Sequence, residues 1–165
     1  MKELVDELIY NKKTISTMES CTGGALASAI TDIEGASEVL KFSAVTYSNE
    51  YKIKMGVSSE VIDTYSVYSI ETAREMAINI SKFSNSDYGV GITGKLNRVD
   101  KNNLYGADNV VFISIYDRML DTYYDLNIEV TECSRKENKE VVLNYIKENL
   151  MTIIKDKEVV KVKRK

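Results

Sequence analysis

A serine followed by a cysteine, a threonine and two glycines, Ser20-Cys21-Thr22-Gly23-Gly24, separates a polar, β-branched stretch at residues 14–18 from a small-residue stretch at residues 24–33. Strand, tight turn and helix in that order place a side chain at the mouth of a sheet, beside helix N-terminal amides without intrahelical partners. Such amides hold a phosphate, or the oxyanion that forms when an amide or ester is attacked. Ser20 is therefore a candidate nucleophile. The chain contains no histidine, so the serine proton must pass to another base, and lysine is the best-attested substitute. The same residues also suit a plain helix N-cap, which Ser and Thr supply routinely. The glycine pair tips the balance toward a ligand, because it lets backbone amides approach one closely. Cys21 is the rival nucleophile, since a helix N-terminus lowers a thiol pKa. With no histidine to protonate a leaving amine, it ranks second, as a packing residue.

Three further groups carry potential chemistry. In Tyr47-Ser48-Asn49-Glu50-Tyr51-Lys52 a tyrosine ends a strand and a lysine follows in the turn or helix. Lysine acts as a base only when neutral, which requires desolvation or a neighbouring cation. Otherwise a lysine one turn into a short helix is a solvated residue. Thr93-Gly94 lies at the carboxyl end of a compact strand, where α/β sheets bind ligands, and Lys95 and Arg98 follow it as possible phosphate contacts. The polarity of residues 97–103 favours an outward direction for both cations. Arg135 opens the last helix, where it suits a phosphate or solvent equally.

These residues need a scaffold, and the hydrophobic periodicity outlines one. Residues 2–10 read as a helix with Leu4, Val5, Leu8 and Ile9 on one face. A strand at 14–18, a helix at 22–33 and a strand at 39–47 follow. Short helices come next: one capped by Ser48 or Asn49, another at 58–64. Residues 70–83 carry a helical stripe of Ala73, Met76, Ala77 and Ile80. A strand at 88–92 precedes the longest loop, 94–108. Residues 110–116 and 123–130 alternate with period two and form a hairpin. The last helix is expected over 135–153, and the charged tail at 154–165 is expected to fray. The implied fold is α/β, a three-layer α/β/α sandwich with a mixed sheet that includes an antiparallel hairpin. Residues 1–153 read as one domain.

Composition sets outer bounds. The net charge of −3 creates no basic field calling for nucleic acid. No apolar run approaches the roughly 18 residues that span a membrane, and the charged amphipathic start is not a signal peptide. Two cysteines, Cys21 and Cys133, are too few for a disulfide framework. Without histidine a zinc site is improbable, and neither a P-loop nor a dinucleotide fingerprint occurs. The expectation is a cytoplasmic protein with a small-molecule substrate, no membrane or nucleic-acid partner, no metal and no cofactor.

Taken together, Glu19-Ser20-Cys21-Thr22-Gly23-Gly24, Gly35-Ala36-Ser37, Tyr47-Ser48-Asn49 with Lys52, Gly56-Val57, Val67 with Ser69, Met76-Ala77, Thr93-Gly94 and Arg135 resemble the C-terminal domain of the bacterial competence-damage-inducible CinA family, known as nicotinamide mononucleotide deamidase. The resemblance spans roughly residues 3 to 150. It implies hydrolysis of a carboxamide to a carboxylate and ammonia through an acyl-enzyme. Ser20 would be the nucleophile and Lys52 its base, with Tyr47 assisting. Backbone amides at Cys21 and Thr22, beside Gly23 and Gly24, would hold the oxyanion, while Thr93, Gly94 and Arg135 would shape the substrate site. It also implies a homo-oligomer, a dimer, and a stand-alone form of a domain that many family members join to another. The family's Thr-Gly-x-Ala-Gly-Pro is here Thr93-Gly94-Lys95-Leu96-Asn97-Arg98, a loop that would touch substrate. A different amide, or a catalytically silent module tied to competence or DNA repair, is the alternative.

Overall fold

The computed structural model describes the backbone of residues 1–163 and the side chains of residues 1–156. Its elements in chain order are α1 (Lys2–Tyr10), β1 (Ile15–Glu19), α2 (Ala25–Thr31), a 3-10 turn (Ala36–Glu38), β2 (Leu40–Val45), α3 (Asn49–Lys54), α4 (Ser59–Tyr65), α5 (Ile70–Ser84), β3 (Tyr88–Gly94), β4 (Val110–Asp117), β5 (Thr122–Glu129) and α6 (Arg135–Lys163). The sheet order is β2-β1-β3-β4-β5. The first three strands are parallel, with Ile15 beside Leu40 on one side and Tyr88 on the other. The β3–β4 and β4–β5 pairs are antiparallel, so the expected hairpin closes the mixed sheet.

Strand parity divides the core into two layers. Ile15 of β1 and Tyr88, Val90 and Ile92 of β3 pack with Leu4 and Leu8 of α1, Leu26 and Ile30 of α2, and Val142, Ile146 and Leu150 of α6. On the opposite face Met18 packs with Met76 and Ile80 of α5 and with Val57. A fully buried strand with helices on both sides accounts for the near-continuous burial of β1 and β3.

Gly89 and Gly91 of β3 set how closely α5 lies on the sheet. A Cβ on Gly91 would come within 2.2 Å of the Ala73 carbonyl oxygen, and one on Gly89 within 2.1 Å of that of Ala77. The helix therefore rests on strand backbone, through the small residues of its buried stripe. Ser69 caps its start by accepting from the Thr72 amide at 3.1 Å.

The last helix exceeds its expected end. It runs Arg135–Lys163, with Ile153 and Ile154 still in the core, so apolar burial carries the helix past residue 153. Residues 164–165, the end of the expected tail, lie outside the described residues. No helix among the described residues is long and apolar enough to cross a membrane.

Candidate active site

Three parallel strands deliver their carboxyl ends to one edge of the sheet. Ser20 follows β1, Thr46 and Tyr47 follow β2, and Gly94 ends β3. Ser20, Tyr47 and Gly94 border a cleft of ≈ 590 Å³, which also meets the start of α3, the α4–α5 connection, the loop at 95–109 and the first turn of α6.

Alternation along β1 assigns the two polar residues at its end to opposite faces. Glu19 points toward α2, where its buried carboxylate accepts from the amides of Leu26 at 3.0 Å and Ala27 at 2.9 Å. The hydroxyls of Thr22 at 2.7 Å and Thr17 at 3.1 Å complete its partners. This corrects the reading of the helix start as an open anion site: the protein's own carboxylate occupies it. The turn amides of Cys21 and Thr22 meet no carbonyl or carboxylate acceptor among the described residues. Gly23 and Gly24, with φ of 62° and 91°, give the turn two successive left-handed residues, which other side chains resist.

Ser20 points the other way, toward α3. Ser48 caps this helix by accepting from the Tyr51 amide, and the helix carries Lys52 beneath the sheet edge. The Lys52 amine lies 3.0 Å from Ser20 Oγ and donates to the Thr46 carbonyl at 2.7 Å. Its side chain is buried at 1% exposure, and no carboxylate pairs with it among the described residues. Burial without a countercharge lowers its pKa from 10.5 to about 8. Burial acts on the Cys21 thiol in the opposite sense and pushes it up to about 12, so that sulfur stays protonated near neutrality.

The remaining expected residues are divided by the structure. Cys21, Gly94 and Arg135 line the cleft with Ser20, Lys52 and Tyr47. Tyr47 is 65% exposed, and its hydroxyl accepts from Arg135 Nη2 at 3.4 Å, not from Lys52. Thr22, Gly23 and Gly24 stand behind the wall: Thr22 turns to Glu19, Gly23 backs onto Lys139 and Gly24 onto Val45. Thr93 is buried and donates to the Val67 carbonyl at 2.9 Å, so its hydroxyl serves the wall and not the cleft. The outward expectation fails for Lys95, which is 4% exposed and pairs with Asp108 at 3.0 Å. Arg98 is exposed, as expected, yet borders the cleft, and its guanidinium donates to the carbonyls of Asn97 and Cys133.

Tyr68 and Asp100 are among the cleft residues that escaped the sequence reading. Tyr68 immediately precedes the cap of α5, and its hydroxyl donates to Asp100. Neither has a local motif to reveal it, because a tertiary contact creates the pair. Arg135 did have a signal. Ser134-x-x-Glu137 is a capping box: Ser134 Oγ accepts from the Glu137 amide at 3.1 Å, and Glu137 accepts from the Ser134 amide at 3.1 Å. The box starts α6 at the cleft mouth and sets Arg135 there. No group of three or more potential acidic, cysteine or histidine ligands is assembled for a metal among the described residues.

A mixed α/β sandwich with a serine and a buried lysine at the carboxyl ends of its parallel strands defines the class. The family model for the CinA C-terminal domain matches residues 1–103, and the chain belongs to that family. A CinA-like protein of Endomicrobium trichonymphae is 52% identical over 88 residues, covering 53% of this chain and 21% of that protein. A putative competence-damage inducible protein of Clostridium beijerinckii is 44% identical over 118 residues, covering 70% of this chain and 28% of its own length. The match thus spans well under a third of these relatives. Among solved structures, a CinA superfamily protein from Klebsiella pneumoniae superposes with a TM-score of 0.86 at 20% identity, covering 94% of this chain and 95% of that one, and shares the fold. The competence/damage inducible protein CihA from Agrobacterium tumefaciens superposes with a TM-score of 0.76 at 28% identity, covering 93% of each chain.

Proposed function

We propose that the chain is a serine amidohydrolase that converts nicotinamide mononucleotide to nicotinate mononucleotide and ammonia. The observation that carries this reading is the buried contact of 3.0 Å between Lys52 Nζ and Ser20 Oγ, in a chain without histidine. In the proposed reaction neutral Lys52 accepts the Ser20 proton as Oγ bonds to the carboxamide carbon. The amide of Cys21, a residue that lines the cleft, receives the resulting oxyanion. Collapse breaks the C–N bond, and Lys52 returns its proton to the departing nitrogen, releasing ammonia and leaving an ester on Ser20. Water then attacks the ester, Lys52 takes one water proton and passes it to Ser20 Oγ as the ester C–O bond breaks, and the carboxylic acid departs and ionises to the carboxylate. Arg135 and Arg98 at the cleft are suited to the phosphate.

A different amide handled by the same pair is the second reading. It is favoured by Asp100, whose carboxylate lines the cleft and disfavours a phosphate nearby, and by Lys95, whose charge is already met by Asp108. A silent module is the weaker alternative, because an unpaired buried lysine costs stability and such groups concentrate at functional sites. The test is ammonia release from nicotinamide mononucleotide and a panel of other amides. Ser20→Ala is expected to lower turnover by several orders of magnitude without unfolding the protein. Full activity in Ser20→Ala would overturn the serine mechanism, and release only from other amides would transfer the reading to those substrates.

A further inference from the structure

Three contacts hold Tyr68. Its hydroxyl donates to Asp100, its backbone amide donates to Ser66 Oγ at 3.2 Å, and Lys95 Nζ lies 5.2 Å from the centre of its ring. The two partners are themselves held. Asp100 accepts from the Asn102 amide at 2.9 Å and from Asn103 Nδ2 at 3.1 Å. Lys95 is paired with Asp108 at 3.0 Å. Tyr68 lines the same cleft as Ser20 and Lys52, with Lys95 Nζ over one face of its ring, so the orientation of that ring is set before binding.

We infer that Tyr68 is a specificity-determining residue that selects amides carried on a planar aromatic ring, by packing its ring against that of the ligand. The inference rests on the amidohydrolase reading and assigns the aromatic ring of that reading's substrate to a particular side chain. A side chain needed only to tie down the loop at 95–109 would act through its hydroxyl, since that is the group bonded to Asp100. A side chain that receives an aromatic ligand acts through its ring, and a preset ring binds without a further loss of rotamer freedom. The pocket's demand is therefore separable from the loop's. Tyr68→Phe removes the hydroxyl and keeps the ring, whereas Tyr68→Leu removes both.

The experiment is calorimetric titration of these two variants in a Ser20→Ala background, which removes the proposed nucleophile. The probes are nicotinamide mononucleotide, nicotinamide and ribose 5-phosphate, the last lacking the ring. Tyr68→Leu is expected to weaken both ring-bearing probes by about tenfold, the usual worth of an aromatic contact. Binding of ribose 5-phosphate should be unchanged, and Tyr68→Phe should retain affinity within about threefold. Equal losses in the Phe and Leu variants, or equal weakening of ribose 5-phosphate, would overturn the inference and leave Tyr68 as a loop anchor. No binding of either ring-bearing probe would overturn it as well. Tyr68-dependent binding of nicotinamide without binding of the mononucleotide would sustain the aromatic platform while refuting the mononucleotide reading. Ammonia release from the mononucleotide by the otherwise unaltered chain, insensitive to Tyr68→Leu, would do the reverse.

Discussion

Replacing Lys52 with methionine separates what this residue costs the fold from what it contributes to chemistry. Folded Lys52 titrates at about 8 and an exposed lysine at 10.5, so the folded protein binds this proton less readily than the unfolded chain. The resulting penalty is fully present below about pH 8 and disappears as pH rises through about 10.5. The lowered value corresponds to about 3 kcal/mol at pH 6.5. Methionine has similar length and no charge, so it escapes this penalty, but it forfeits the hydrogen bonds to Ser20 and the Thr46 carbonyl. At about 1 kcal/mol for each lost bond, Lys52→Met is expected to be more stable than wild type by about 1 kcal/mol near pH 6.5. Between about pH 6.5 and about pH 9.5 the electrostatic part falls by about 2 kcal/mol, so the advantage should vanish or reverse. That difference is independent of the hydrogen-bond estimate, because those losses are the same at both pH values. Urea unfolding of both proteins at the two pH values gives the number directly. A stability difference between the variants that stays constant across this range within about 0.5 kcal/mol would refute the lowered pKa of Lys52.

Two other outcomes follow from the same geometry. The kcat/KM for amide hydrolysis should rise about tenfold per pH unit below about pH 8 and level off above it, as the neutral form of Lys52 becomes dominant; a flat profile across this range would remove Lys52 as the base. Gly91→Ala should destabilise the fold by about 3 kcal/mol or more in urea titration, because the new methyl group would meet the backbone of α5 at 2.2 Å; a loss below about 1 kcal/mol would mean that α5 moves away from β3 at little cost.

The parts legible in the sequence are those governed by local periodicity. Leu4, Val5 and Leu8 on α1 and the stripe on α5 announce helices, and the alternation at residues 110–116 and 123–130 announces the hairpin. Ser48 marks its helix because capping is a contact within one turn. What the sequence hid depends on contacts between distant segments. The polar loop after β3 suggested solvent for Lys95, yet Asp108 at the far end of that loop supplies the countercharge that allows burial. Glu19 stood in the motif, but its capture of the α2 amides requires the turn at Gly23 and Gly24 to fold back on the strand. Tyr68 and Asp100 lie 32 positions apart, beyond the reach of any local rule.

The choice between Ser20 and Cys21 turns on direction as much as on intrinsic reactivity. A thiol is the better nucleophile in water, and the two residues are neighbours in one turn. The chain leaves β1 with Glu19 committed to α2 and Ser20 facing α3, and Cys21 then returns to the α1–α2–α6 core. There burial keeps the thiol protonated, with its pKa pushed up to about 12. The same loss of water has the opposite consequence for Lys52, because deprotonation makes a thiol charged and a lysine neutral. Burial thus disarms the cysteine and prepares the lysine. In the proposed reaction this replaces the histidine that the chain lacks. It also explains why a carboxylate partner for Lys52 would be harmful: it would raise the lysine pKa and hold the proton that catalysis requires Lys52 to give up. Glu19, the acid next to Ser20 in sequence, is turned to the other face and saturated by four donors, and Glu50 pairs with Lys54. The two-residue period of β1 therefore keeps the proposed base free of a countercharge.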